Sequence, residues 1–390
     1  MIKCDIVVGL NFGDEGKGKT TDWLCRNNGA SSLVVRYSGG HQVGHTVDDG
    51  KHRHVFQNFG SGTLSGVPTF WSRFCTFYPI GFMREYQELA AIGVKPEFYI
   101  DAMAPVTTVY DILYNQMLEK IDGHGSVGVG FGCTIARQDT PYKLYVKDLF
   151  CPTILNHKLN QIWRYYCDKI DRDGLSGTAF DGSALRWWRD QDFNTANINF
   201  MEAAALVLDK IVIANQNIII DDHKFIIFEG AQGILLDMDH GFFPHVTRSN
   251  TTSKNAITIL HEVFGPSMWC VPNIYYVTRS YMTRHGNGPF PTEDFSTTKA
   301  VDDSTNKFND WQKHLRVGCL DLDLMRYAVA TDRVFAHACT HNLCITHMDT
   351  GGCINTNIRM VVSASDLGNQ LQMKTVYVSN TPKSEFDVQR

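Results

Sequence analysis

The chain of 390 residues is 43% hydrophobic and 20% charged, with 36 basic against 41 acidic side chains and a formal net charge of −5. That balance is typical of a soluble globular protein and offers no basic surface for nucleic acid. No run approaches the roughly 18 apolar residues of a membrane helix. The 11 cysteines, spread without a C-x-x-C pair, read as reduced thiols of a cytoplasmic protein, with neither a disulfide framework nor a zinc site.

In chain order, Cys4-Asp5-Ile6-Val7-Val8 reads as a buried strand. It begins so early that no signal peptide is expected. Thr21-Asp22-Trp23-Leu24 can open a helix. Between them, Gly13-Asp14-Glu15-Gly16-Lys17-Gly18-Lys19-Thr20 satisfies the phosphate-loop spacing G-x-x-x-x-G-K-[ST]. Strand, glycine-rich turn and helix present backbone N–H groups to phosphate. Two acidic residues inside such a loop repel phosphate and need a reason. A Mg²⁺ beside Asp14 is one, and proton chemistry by Asp14 is another. The next strand, 32–37, runs into Arg36-Tyr37-Ser38-Gly39-Gly40-His41-Gln42-Val43-Gly44-His45-Thr46. The glycines allow close backbone approach to a ligand. His45, on a turn after the strand, is placed for a general acid or, more plainly, is a surface histidine at a strand end.

Helical periods over 80–92, 107–120, 156–169 and 199–215 then alternate with β-rich runs at 98–100, 217–228, 269–277, 343–348 and 375–379. This alternation predicts an α/β fold with a large, mostly parallel central sheet and helices on both faces. We expect one large domain over 1–390, with a mainly helical insertion at about 80–215 and a mobile loop at about 293–317. The polar stretch 172–197 reads as surface.

Three further motifs carry chemistry. Phe228-Glu229-Gly230-Ala231-Gln232-Gly233 places Gln232 at the carboxyl edge of the sheet, where open α/β sheets bind ligands. Its amide suits a purine edge or a phosphate. The hydroxyls in Thr247-Arg248-Ser249-Asn250-Thr251-Thr252 suit phosphate contact or helix capping. Gly286-Asn287-Gly288-Pro289-Phe290-Pro291-Thr292-Glu293 is a rigid turn. In Cys344-Ile345-Thr346-His347-Met348-Asp349, the Asp at a strand end can accept two hydrogen bonds from a guanine or cap the next turn.

Together these motifs resemble the adenylosuccinate synthetase family. The family's G-D-E-G-K-G-K loop is present at 13–19 and its G-G-x-x-x-G-H-T segment at 39–46. Its E-G-A-Q-G…D-x-D-H-G…P-x-V-T-x-S-N-T-T block lies at 229–252 and its G-x-G-P-F-P-T-E turn at 286–293. The resemblance implies a ligase that moves the γ-phosphoryl of GTP to O6 of a 6-oxopurine nucleotide, after which L-aspartate displaces it at C6. It implies catalytic roles for Asp14, His45 and Lys17, with Asp14 and the Gly44 carbonyl holding Mg²⁺. Phosphate and nucleotide contacts are implied for Gly13, Glu15, Gly16, Gly18, Lys19 and Thr20, and for Gln42, Gly44, Thr46 and Gly130. Gln232 and Thr247 match positions on the acceptor nucleotide, Asp349 and Ser379 positions around the donor base, and Lys313 and Arg316 the aspartate grip. A homodimer is implied as well.

The departures cluster around the acceptor. Gln42 stands where the family has Asn, and Gly128-Val129-Gly130-Phe131-Gly132 replaces its Thr-Thr-Gly phosphate segment. The arginine sent across the dimer to the partner's nucleotide phosphate has no clean counterpart, with Arg137 and Lys143 as candidates. The arginine-rich stretch is thinned to Lys313-His314-Leu315-Arg316, and His347 replaces a Lys before the guanine-reading Asp. Viral relatives use dGMP to make a 2-aminoadenine precursor for DNA, and fewer ribose-gripping arginines suit a deoxyribose. Those relatives often replace the loop Asp, whereas Asp14 is retained. The expected acceptor is dGMP, with IMP as the alternative, and GTP is expected as donor ahead of an adenine nucleotide. A P-loop NTPase or kinase would need Glu229 as its metal carboxylate and would leave His45 and the 229–252 block without a role.

Overall fold

The structure is a computed structural model that describes residues 2–123, 125–175, 192–221, 223–265, 271–294, 311–312, 314–351, 354–357 and 361–389. Most of the expected loop at 293–317, Lys313 included, and much of the 172–197 stretch lie outside them.

Ten strands form one sheet. Its centre is β1 (Lys3–Gly9), flanked by β8 (Phe225–Glu229) and β9 (Asn273–Arg279). Beyond β8 lie β2 (Ser32–Arg36), β5 (Thr69–Trp71), β6 (Phe98–Asp101) and β7 (Val212–Ala214). Beyond β9 lie β12 (Thr340–Thr346), β15 (Thr375–Val378) and β16 (Asp387–Gln389). Every pairing is parallel except the edge pair β15–β16. The central strands are near-continuous apolar runs because both faces are covered: Ile6, Val7 and Val8 have no exposed surface. Residues α1 (Lys17–Asn28) packs Leu24 and Cys25 over Val7 and Val34 on one face. On the other face Ile6 and Val8 share a core with α7 (Lys254–Phe264) and α8 (Leu322–Ala336).

A second core is built by helices between β5 and β7. These are α2 (Pro79–Ala91), α3 (Val109–Asp122), α4 (Phe131–Gln138), α5 (Pro152–Arg172) and α6 (Asp192–Leu208). Phe82, Phe98, Tyr110 and Tyr166 lie at its centre. A capping box starts α3, in which Thr108 Oγ1 accepts the Asp111 N–H at 3.3 Å and Asp111 Oδ2 accepts the Thr108 N–H at 2.7 Å. No described helix is long and apolar enough to cross a membrane.

Tertiary pairing changed several expected elements. The run at 217–228 splits into a 3₁₀ turn (Gln216–Ile220) and β8, because polar residues at 221–224 interrupt it. The helix expected to 215 ends at Leu208, and Val212–Ala214 pairs with β6 instead, where β-branched residues are favoured. His45 is the first residue of β3 (His45–Asp48), paired with β4 (Arg53–Phe56), and not a turn residue.

Arg137 cannot act across a dimer. It is fully buried, with Nε on Asp111 Oδ1 at 2.9 Å and its terminal nitrogens on Asp111 Oδ2, Val106 O and Tyr142 O. Lys143, the other candidate, is exposed. Arg137→Ala is expected to destabilise the fold by about 3–5 kcal/mol, since it strands the Asp111 carboxylate without a cation. An unchanged denaturation midpoint would show the pair to be dispensable.

Candidate active site

Because the central strands run parallel, the chain segments after β1, β2, β8, β9 and β12 all emerge at one edge of the sheet. They line a cavity of about 1250 Å³, together with α3, α4 and α5.

The loop after β1 leads into α1 through Gly16 at φ 96°, with no side chain capping the helix. Its first-turn N–H groups are therefore available to an anion. Three side chains pin the loop carbonyls. Thr283 Oγ1 donates to Gly13 O at 3.0 Å, Arg279 Nε donates to Asp14 O, and Thr346 Oγ1 donates to Glu15 O at 2.7 Å. Asp14 is held at φ 57°, an uncommon conformation for a residue with a side chain.

The two acidic residues of the loop have different roles. Glu15 is buried: Oε1 accepts the Asn11 N–H and Oε2 faces Lys17 Nζ at 3.2 Å. Burial pushes its carboxyl up, against the pull of Lys17. Its carboxylate oxygens are engaged internally, so the side chain braces the loop and Lys17, while the residue lines the cavity. Asp14 faces the cavity, with Oδ2 3.0 Å from His285 Nε2. Burial raises its carboxyl, but the His285 hydrogen bond and the charges of His285, Arg279 and Lys17 outweigh this and bring it to about 2. It is ionised at neutral pH and able to take a proton.

His45 belongs to a separate buried group. Its Nδ1 lies 2.7 Å from Glu229 Oε1, and Glu229 also accepts the Ser61 N–H at 3.0 Å and the Ser61 hydroxyl. Burial raises the Glu229 carboxyl, but His45 and Arg36 bring it below its ordinary value. Arg36 ends β2 directly beside Glu229, which ends β8; it is fully buried, with its guanidinium 5.1 Å from the Trp71 ring centre. Burial lowers the His45 imidazole against the pull of Glu229. A carboxylate only accepts, so Nδ1 carries the proton. Nε2 has no hydrogen-bond partner among the described residues, and the residue lines the cavity. His45 and Asp14 line the same cavity, each with its own partner, Glu229 and His285. The structure also removes Glu229 as a metal carboxylate, since both oxygens are engaged.

Of the other candidates, Gly16, Lys17, Gly18, Lys19, Gln42, Gly44, Thr46, Gln232, Thr247 and Asp349 line the same cavity. The Gln42 amide has no hydrogen-bond partner for either polar atom among the described residues. Burial pulls Lys19 down to about 8 against the charges of Asp349 and Glu385, and its Nζ donates to Thr381 O. Gly13, Thr20, Gly130 and Ser379 do not line the cavity. Thr20 Oγ1 donates to Gly16 O at 3.1 Å, Gly130 N–H to Asn115 Oδ1 at 3.0 Å, and Ser379 N–H to Ile345 O at 2.9 Å. The neighbours Gly128, Val129, Phe131 and Gly132 line it in place of Gly130.

Arg316 corrects the expected aspartate grip. It pairs with Glu293 at 2.9 and 2.5 Å and donates to Gly286 O and Gly288 O at 3.1 and 2.9 Å. It braces the Gly286–Glu293 turn from outside the cavity. Arg279, Arg284 and His285 line the cavity instead. Sequence reasoning missed these three and missed Glu229 as the partner of His45.

The donor set fits magnesium. Asp14 keeps Oδ1 free of the His285 contact, and Gly44 lies on the same cavity. Mg²⁺ commonly takes one or two protein oxygens and fills its octahedron with phosphate oxygens and water.

The fold and this site define a nucleotide-handling α/β enzyme. The sequence model described as Adenylosuccinate synthetase matches residues 6–378. The chain is 30% identical over 362 residues to the adenylosuccinate synthetase of Thermoplasma acidophilum, covering 91% of this chain and 77% of that one. It is 31% identical over 364 residues to adenylosuccinate synthetase 1 of Pseudoalteromonas translucida, covering 88% and 77%. The chain belongs to the adenylosuccinate synthetase family, and is a carbon–nitrogen ligase joining aspartate to a purine nucleotide. Its fold matches fully ligated adenylosuccinate synthetase from Plasmodium falciparum with a TM-score of 0.77 at 16% identity, covering all of both chains. It also matches the succinoaminodeoxyadenylate synthetase of cyanophage S-2L, solved with dGMP and with dATP as an energy donor, with a TM-score of 0.63 at 14% identity, covering 98% and 94%.

Proposed function

We propose that this ligase takes dGMP as its acceptor and GTP as its donor, forming 2-amino-2′-deoxyadenylosuccinate from L-aspartate as a cytoplasmic homodimer. The observation that carries the acceptor is Arg316. Its Nε and both terminal nitrogens are bonded to Glu293, Gly286 and Gly288, and it lies outside the cavity lining, so this guanidinium is turned away from a ribose 2′-hydroxyl. A deoxyribose needs none. The cyanophage protein of the same fold binds dGMP, which agrees with the reading. Retention of Asp14 favours the second reading, IMP.

The mechanism follows from the side chains. An oxo group is a poor leaving group, and phosphorylation at O6 makes it a good one. The Asp14 carboxylate takes the N1 proton as O6 attacks the γ-phosphorus. Lys17 and the first-turn N–H groups of α1 neutralise the phosphates. His45, protonated at both ring nitrogens with Nδ1–H held by Glu229, donates from Nε2–H to the bridge oxygen of the departing diphosphate. L-aspartate then displaces the phosphate at C6. Mg²⁺, held by Asp14 and the Gly44 carbonyl, would supply charge neutralisation at the phosphates. Gln42, Gln232 and Thr247 contact the acceptor, and Asp349 reads the donor base.

The test is aspartate-dependent phosphate release with IMP, dIMP, GMP and dGMP crossed against GTP, ATP and dATP. Turnover with dGMP above that with IMP is expected. Turnover with IMP and none with dGMP would establish the second reading.

A further inference from the structure

With Arg137 locked on Asp111, the acceptor's phosphate lacks the cation expected for it, and a different arginine stands where one is needed. Helix α4 begins behind Gly130, at φ 80°, with no side-chain cap, and Phe131 and Gly132 of its first turn line the cavity. Arg248 lies against that turn. A Cβ built on Gly132 would stand 3.7 Å from the Arg248 Cδ, an ordinary contact distance, which places the arginine stem against that turn. Arg248 lines the cavity, is exposed there, and its guanidinium has no hydrogen-bond or ion-pair partner among the described residues.

The backbone that carries it is fixed. Thr247 N–H donates to Leu236 O at 2.8 Å, and the Ser249 hydroxyl accepts the Gly39 N–H at 3.0 Å. Lys169, another basic side chain on this arm of the cavity, is paired with Asp173 at 3.2 Å. A second observation points to a ligand. Both polar atoms of the Gln42 amide are buried without a partner, on the same cavity. A free arginine, an uncapped helix start and an unpartnered amide together suit a phosphate, whose oxygens accept from all three.

We infer that Arg248 binds the 5′-phosphate of the acceptor nucleotide from within the same chain, against the first turn of α4. This rests on the aspartate-ligase reading and supplies in cis the cation that the family resemblance assigns to a partner subunit. Arg248 thereby determines affinity for a nucleotide over a nucleoside, and the acceptor site is completed without an arginine from a second copy.

The test compares wild type with Arg248→Ala, Arg248→Lys and Lys143→Ala. Arg248→Ala is expected to raise the acceptor KM about 10- to 100-fold, as loss of a charge-assisted contact does, with a smaller change in kcat. Arg248→Lys should recover part of the affinity. The phosphate-free nucleoside, used as a competitive inhibitor, should bind wild type and Arg248→Ala alike. Lys143→Ala should leave the acceptor KM unchanged. An unchanged acceptor KM in Arg248→Ala, or an equal rise in Lys143→Ala, overturns the inference. If wild type turns over no acceptor, the ligase reading fails by itself. Calorimetric titration of dGMP and IMP into wild type and Arg248→Ala then decides the arginine: weaker binding to the variant supports it, and equal or absent binding overturns it.

Discussion

Asp14→Ala is expected to lower turnover at least about 10²-fold with the fold intact, since it removes the group that accepts the purine proton. Three features make the effect large. The carboxyl is held at about 2, so it is present as the carboxylate across the neutral range. Its backbone is pinned by Arg279 and its side chain by His285, so no neighbouring carboxylate can swing into its place. Glu15, the adjacent acid, is committed to Asn11 and Lys17. Asp14→Asn is the sharper companion. Asn tolerates the left-handed conformation at φ 57° and keeps the size of the side chain, so it removes the negative charge, and with it the basicity and part of the metal site, without changing the backbone. Phosphate release with saturating substrates, beside circular dichroism, is the measurement. Near-normal turnover in either variant would remove Asp14 from the chemistry.

The second large effect is expected at a residue remote in sequence from the phosphate loop. Glu229→Gln should reduce turnover by about 10²–10⁴-fold, comparable to His45→Asn, while nucleotide binding stays measurable. Glu229 accepts from three donors: His45 Nδ1–H, Ser61 N–H and Ser61 O–H. A glutamine has one oxygen and one NH₂, so at least one donor would meet another donor. If the NH₂ turns to His45, Nδ1 must become an acceptor, and the ring loses the carboxylate that lets it carry a proton on both nitrogens. Removing the carboxylate also leaves Arg36 buried without its counter-charge, so some loss of stability should accompany the loss of rate. Because Glu229 acts through His45, the double variant should be no slower than His45→Asn alone. Additive losses in the double variant would show that Glu229 works independently of the ring.

Several features were legible from local pattern. The strand, glycine-rich loop and helix at the start of the chain carry their own signals in apolar run and spacing; β1 falls where they place it, and α1 opens at Lys17, inside the loop motif and four residues before the expected Thr21. The α/β alternation likewise indicated a mostly parallel sheet. The β3–β4 pair, β5, α7 and α8 were not singled out, and the strand at 212–214 was read as helix. Short strands take their identity from the neighbour they pair with, and an edge of three residues has too little periodicity to declare itself.

The candidate site divides along the same line. The sequence by itself determined the candidates: Asp14, Lys17, His45, Gln232 and Asp349 are visible from residue type and spacing, and all five line one cavity. Only the tertiary structure decided their partners. Glu229 meets His45 because β2 and β8 lie side by side in register and bring Arg36, Glu229 and the segment after β2 together. His285 meets Asp14 because β9 and β1 are neighbours and β10 (Met282–Arg284) carries the chain back over the loop. Arg137 and Arg316 look free in the sequence and are fully engaged in the fold, whereas Arg248, an unmarked position between two hydroxyl residues, is left open to the cavity. A side chain's type is a local property of the chain, but the dielectric and the charges around it come from segments far away in sequence. Those surroundings decide whether a carboxylate braces a loop, orients a histidine or takes a proton.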